Sequence, residues 1–191
     1  MLASGDPRVI IADTVDRERQ RDEDRRSAFR ELADEQLTDA YGLAFAVLRD
    51  RSQAQDAVHD AFVTAWQRYE TLRDPARFAP WFRRILVNTC RNRLKASSRR
   101  RTTALDTQQE LATADSSSAV VDRTMVAAAI AGLKPDDRVV LALRYYRDLR
   151  IGDIAAVLDI PPNTVTSRLH RAHQRLRSAL EDIDAKDVRD G

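Results

Sequence analysis

Between Ala54 and Trp66 the apolar residues stand at Ala54, Ala57, Val58, Ala61, Phe62, Ala65 and Trp66. Steps of three and four put them along one face of an α-helix, whereas a strand would divide them between two faces. Such a stripe has to be buried against other helices, and it leaves Gln53, Asp56 and Asp60 on the opposite side. A similar stripe precedes it at Leu37, Ala40, Tyr41, Ala44, Phe45 and Leu48. Another follows at Trp81, Phe82, Ile85, Leu86, Cys90 and Leu94, with Pro80 suited to a first helical turn. Apart from the short patch Val9-Ile10-Ile11 no alternating pattern occurs, so the expected fold is all-α.

The charge layout divides the chain. Residues 1–26 are charged and almost free of aromatics, which predicts a disordered arm. A first helical domain then spans 27–101. Its last part, 83–101, carries Arg83, Arg84, Arg91, Arg93, Lys95, Arg99, Arg100 and Arg101 and no acid. The stretch 102–121, rich in Thr, Gln, Ser and Asp and free of bases, reads as a flexible acidic linker. A second domain is expected over 122–182, with helices Asp122–Leu133, Pro135–Tyr146, Ile151–Leu158 and Pro162–Leu180, and a tail at 183–191.

The second domain holds the sharpest local pattern. Ile151 to Leu158, the turn Asp159-Ile160-Pro161-Pro162, and the helix opening at Asn163 describe a helix-turn-helix, with Ala155 small enough for a close crossing. Val165, Leu169, Ala172 and Leu176 face inward. That leaves Thr164, Ser167, Arg168, Arg171 and Arg175 outside, where short polar groups and guanidinium forks reach base edges and phosphates. Thr164 lies in the first turn, whose free N–H groups favour phosphate. A plain helical hairpin with a solvated basic face is the blander alternative. In the first domain, basic residues beside Trp81 and Phe82, after the aromatic-bearing loop from Tyr69 to Phe78, suit single-stranded DNA, although Trp81 and Phe82 also suit a core.

The remaining residues exclude more than they assign. The 32 Lys and Arg nearly balance 30 Asp and Glu, so the distribution of charge matters more than its sum. One cysteine, Cys90, forms no internal disulfide and fits a reducing cytoplasm. The longest apolar run, Val126–Leu133, is far below the ~20 residues of a membrane span. His59, His170 and His173 lack a further ligand or an orienting carboxylate, and Asp56 and Asp60, four apart, invite a compensating external base.

Taken together, these segments resemble the extracytoplasmic-function (ECF) sigma factors over roughly residues 27–180. Asp56 to Trp66 looks like that family's polymerase-binding helix, Trp81 to Asn88 with Arg91 and Arg93 like its minus-10-reading helix, and Leu133 to Ala172 like its minus-35-reading domain. The resemblance implies that Gln53, Asp56, His59 and Asp60 meet the β′ clamp helices of RNA polymerase core, and that the second domain rests on the β flap. It implies minus-10 contacts from Tyr69, Phe78, Trp81, Arg83, Arg84, Asn88, Arg91, Asn92 and Lys95, with a flipped base taken up by the loop from Tyr69 to Phe78. Minus-35 contacts would come from Asn163, Thr164, Thr166, Ser167, Arg168, His170, Arg171 and Arg175. It further implies promoter DNA and an anti-sigma factor as partners, and no catalytic residue, metal or cofactor. Asn92 stands where the family often has Asp, and Asp159 where its turn often has Gly. The competing class is a stand-alone helix-turn-helix regulator that binds operator DNA without polymerase; a nucleic-acid enzyme lacks any acid, metal or nucleophile constellation.

Overall fold

The structure, a computed structural model, describes residues 7–103, 126 and 129–190, and every regular element among them is helical. Helix α1 runs Pro7–Leu48, α2 Arg51–Arg68 and α3 Phe78–Thr103. Two short 3-10 turns, Tyr69–Thr71 and Pro75–Arg77, join α2 to α3. The second unit holds α4 (Pro135–Leu141), a π turn (Ala142–Tyr146), α5 (Ile151–Leu158) and α6 (Pro162–Asp190).

Residues 7–26, expected as a disordered arm, are instead the first half of α1. Composition failed there because it weighed the segment by itself. No Gly or Pro occurs from Arg8 to Tyr41, so a helix nucleated by the packed end extends outward without a break. Exposed pairs such as Gln20 and Asp24, hydrogen-bonded at 2.9 Å, support it one turn apart. Residues 183–190, expected as a tail, continue α6. Helix Pro135–Tyr146 proves to be α4 followed by the π turn. Residues 104–121 of the acidic linker, and half of the helix expected over 122–133, lie outside the described residues.

The first unit follows its sequence stripes. Arg49, in the left-handed region at φ 61°, ends α1 and gives its N–H to the Phe45 carbonyl at 2.8 Å. Asp50 then caps α2, its carboxylate accepting the Gln53 N–H at 2.8 Å. Ala54, Ala57, Ala61 and Ala65 are fully buried, and their small side chains let α1 and α3 approach α2 closely. Phe82 of α3 fills the centre, stacked on Phe62 at 4.4 Å and on Phe78 at 5.7 Å between ring centroids.

In the second unit, Ile154, Ala155, Val157 and Leu158 of α5 pack on Val165, Leu169 and Ala172 of α6, as the helix-turn-helix pattern requires. The turn is closed by Asp159 at φ 55°, ψ 49°, the left-handed position that glycine most often takes at a helix end. Asp is one of the few other residues tolerated there, so the motif survives the replacement.

The two units are packed on each other. Buried residues of both form one apolar cluster. A Cβ at Gly42 of α1 would fall 1.6 Å from the Tyr146 hydroxyl, so the absence of a side chain there makes room for the π turn.

Cys90 is fully buried beside this core, and burial pushes its thiol up to about 12. Its alkylation therefore reports opening of the core. Phe82→Ala is expected to destabilise the protein by about 3–5 kcal/mol in urea unfolding and to speed Cys90 alkylation correspondingly. A Phe82→Ala chain that protects Cys90 as well as the parent would contradict this packing.

Candidate nucleic-acid and polymerase interfaces

The residues expected at a minus-10 element divide into three groups. Trp81, Arg84, Asn88 and Asn92 line one polar groove of about 600 Å³ on α3, together with Thr64, Arg68, Ile85 and Thr89. Steps of three and four along α3 bring these side chains to one face. Arg68 and Thr64 were missed in the sequence because they lie on α2, and only the crossing of the two helices joins them to Trp81. Lys95 is exposed further along α3.

Phe78 and Arg83 need correction. Phe78 is 1% exposed, packed against Phe29, Trp81 and Phe82, and offers no open face to a base. Its position at the start of α3 turns the ring inward. Arg83 lies away from the groove, lining a small cleft with Asp39 and Arg147. Burial lowers its pKa, and the like charge of Arg147 lowers it further against the pull of Asp39 and Asp153. Tyr69 is half-buried against Phe29, with ring centroids 5.2 Å apart.

Arg91 forms the third group. It donates to Asp136 of α4 from Nε at 2.5 Å and from Nη2 at 3.0 Å, a two-pronged bond between the units. Arg168 of α6 reaches the same carboxylate at 3.1 Å. Further links between the units are Arg84 to Asp159 at 2.9 Å, Arg147 to Asp39 at 2.5 Å, and Arg138 donating to the Val47 carbonyl at 3.3 Å. Several basic groups expected on DNA are thus held by carboxylates of the chain itself.

On α6, Asn163, Thr166, Ser167, His170 and Arg171 are exposed, and Thr164 is half-buried. Arg168 has only 15% of its side chain exposed, and Arg175 is paired with buried Asp137. The Thr166 and Ser167 hydroxyls donate to the carbonyls of Pro162 at 3.2 Å and Thr164 at 3.0 Å. Contrary to expectation, the Thr164 N–H is not free, since it donates to Pro161 at 2.9 Å. His173 lies 2.8 Å from the Tyr145 hydroxyl.

Asp56, His59 and Asp60 are exposed on α2, but Gln53 is half-buried and bonded to Asp50 at 3.2 Å as well as through its N–H. The base that balances the two aspartates comes from the chain itself: Arg93 of α3 lies 2.5 Å from Asp60 and 3.5 Å from Asp56. The hydrogen bond that Arg93 donates to Asp60 is the main cause that raises the Arg93 pKa. Beside this face, Leu37, Thr38, Tyr41, Gln55, Val58, His59 and Phe62 line an apolar groove of about 560 Å³. Among the described residues no group of three or more His, Cys, Asp or Glu side chains is placed to hold a metal ion, and no helix is long and apolar enough to cross a membrane.

The chain thus consists of two packed helical units, one with a polar groove that holds Trp81 and Arg84 and the other with a helix-turn-helix. Comparison with known proteins narrows the class. The family model for Sigma-70 region 2 matches residues 32–100, and that for Sigma-70, region 4 matches residues 123–176. The chain is 35% identical over 161 residues to the ECF RNA polymerase sigma factor SigL of Mycobacterium tuberculosis, covering 81% of this chain and 89% of that protein. It is 31% identical over 155 residues to the RNA polymerase sigma-H factor of Pseudomonas aeruginosa, covering 74% and 80%. Among solved structures it is similar to CnrH in complex with the cytosolic domain of CnrY, with TM-score 0.58, 26% identity and 83% and 90% of the two chains covered. The sigma factor RpoE bound to the anti-sigma factor NepR, from Bartonella quintana, shares the fold at TM-score 0.57 and 19% identity, over 85% and 97%. The chain belongs to the ECF RNA polymerase sigma factors. It directs core polymerase to promoters and starts transcription there, and a stand-alone operator-binding regulator is not favoured.

Asp136 is one of the polar links between the units. Burial by itself would raise its pKa, but the hydrogen bond from Arg91 and the charges of Arg168, Arg91 and Lys95 outweigh that and hold it below the usual value. A lowered folded pKa contributes stability above the ordinary aspartate range near ~3.9, and this is lost as pH falls through the lower folded value. Asp136→Asn should therefore reduce stability by about 1–3 kcal/mol at pH 7. The deficit should shrink as pH falls below the ordinary aspartate range near ~3.9 and vanish only below the lowered folded value, where the parent carboxyl is itself protonated. Urea midpoints of the two proteins across pH test this, and a deficit that does not change with pH would contradict it.

Proposed function

We propose that the groove of Trp81, Arg84, Asn88 and Asn92 receives the minus-10 element, and that this groove is the observation on which the site assignment rests. Guanidinium groups at a groove edge hold phosphates, amides meet base edges, and an indole face stacks an unpaired base. The loop between Tyr69 and Phe78 takes up a flipped non-template base, with buried Phe78 supporting the loop from beneath. Asn163, Thr166, Ser167, His170 and Arg171, exposed on α6, read the minus-35 element. Asp56, His59 and Asp60, with the apolar groove beside them, dock on the β′ clamp helices, and the second unit rests on the β flap. An anti-sigma factor competes for these faces. The protein works in the cytoplasm and carries no chemistry of its own, since the polymerase forms the bonds.

Arg84, Arg91, Arg168 and Arg175 are each paired with an Asp of the chain. Promoter DNA has to replace those partners, and core polymerase releases the two that cross the units, Arg84 and Arg91, by drawing the units apart. The free chain should therefore bind a promoter duplex weakly, while its complex with core starts transcription from it. Tight operator binding by the free chain with no affinity for core would overturn this reading.

Within the holoenzyme, Arg171→Ala should cost about 1–3 kcal/mol at the upstream element and relax preference at one base position, with core affinity unchanged. Binding of single-base variants at fixed salt measures this. Unchanged affinity and preference would remove α6 from the role of reading helix.

A further inference from the structure

The loop proposed to take up the flipped base is held from outside the region that matches the family. Arg25 and Phe29 of α1 lie upstream of residue 32, where the region 2 match begins, and Arg25 falls in the segment whose composition predicts disorder. The Phe29 ring meets Trp66, Tyr69 and Phe78 edge to face, with centroids at 5.2, 5.2 and 5.7 Å. Trp66, half-buried, ends the apolar stripe of α2, Tyr69 opens the loop and Phe78 closes it. One side chain thus touches both ends of the loop. One turn earlier, the Arg25 guanidinium lies over the Trp66 ring, 4.6 Å from its centroid, and Nη1 reaches Glu70 at 2.8 Å.

These contacts bear on the loop in different ways. Phe29 sets the spacing of its ends through packing. Arg25 ties the first loop turn, through Glu70, to α1, which is anchored in the core at Ala44 and Val47. Arg25 Nε is buried and has no hydrogen-bond partner, so the face of Trp66 supplies the stabilisation on that side of the guanidinium. A planar group that both stacks and donates fits this position, and a lysine would keep only the charge.

We propose that Arg25 and Phe29 are positioning residues for minus-10 recognition: the upstream extension of α1 braces the loop from Tyr69 to Phe78 and so sets which base the loop accepts. This rests on the reading of that loop given above. Neither residue lines the groove of Trp81 and Asn88, so their effect is on discrimination and strand opening, not on general DNA affinity.

The test uses holoenzyme made from full-length chain, with promoters bearing each single-base change in the minus-10 element and a fluorescent base analogue that reports strand opening. Arg25→Gln, Arg25→Lys and Phe29→Leu are compared with an exchange of residues 71–74 for Gly-Ser-Gly-Ser. The brace predicts that Arg25→Gln and Phe29→Leu lower discrimination at one minus-10 position by about three- to tenfold and slow opening. Arg25→Lys should be intermediate, and affinity for core and preference at the minus-35 element should stay the same. If the loop exchange alters discrimination while the α1 variants do not, the brace is wrong and the loop reading stands. If neither alters it, the loop reading fails and the brace with it. If Arg25→Gln lowers core affinity or melting temperature and depresses all promoters equally, its role is merely structural and the proposal is overturned.

Discussion

A carboxylate between two guanidinium groups decides how the units of this protein meet. Asp136 stands at the start of α4, where the helix dipole favours an acid, and it accepts from Arg91 of the first unit at both oxygens while Arg168 of the second shares its Oδ2. Three partly buried charges in contact are stable together and poor apart, because removing one leaves the others half-desolvated without a counter-charge. The apolar cluster shared by the units supplies most of their adhesion. The ion pairs supply direction, and the vacancy at Gly42 sets how closely the π turn approaches α1.

This arrangement gives the basic residues two uses. A guanidinium that pairs with an aspartate fits a phosphate equally well, since both present oxygens to the same planar fork. The exposed groups of α6 and the groove on α3 remain open while Arg91, Arg168 and Arg175 are engaged. Family membership carries the function; in the proposed reading, the pairing of Arg84 and Arg91 across the units is the reason that polymerase has to act before DNA is engaged.

The stripes from Ala40 to Leu94 were legible because each is one-sided and periodic, and the helix-turn-helix because its buried residues step by four and three. Sequence reasoning failed where an outcome depends on a distant partner. Residues 7–26 look disordered in isolation, yet they continue a helix that is anchored further on. Phe78 and Arg83 have the composition of a DNA-binding surface, and only the direction in which α3 turns them shows one buried and the other beside Arg147. The balance of Asp56 and Asp60 by Arg93 was also hidden, since a pairing across 33 positions leaves no local signal. Asp159 is a departure that can be read both ways: it accepts the left-handed turn, and its carboxylate holds Arg84.

The central claim is that Arg84 and Arg91 pass from carboxylates of the second unit to DNA when polymerase separates the units. It is tested most directly by single-molecule energy transfer between dyes on Gln67→Cys and Gln174→Cys, two exposed positions in different units, with buried Cys90 left unlabelled. The account predicts one short distance in the free chain, loosened by salt, and one longer distance when core polymerase is bound. Equal distances in the free and bound states would contradict it, as would a free chain whose units are already apart.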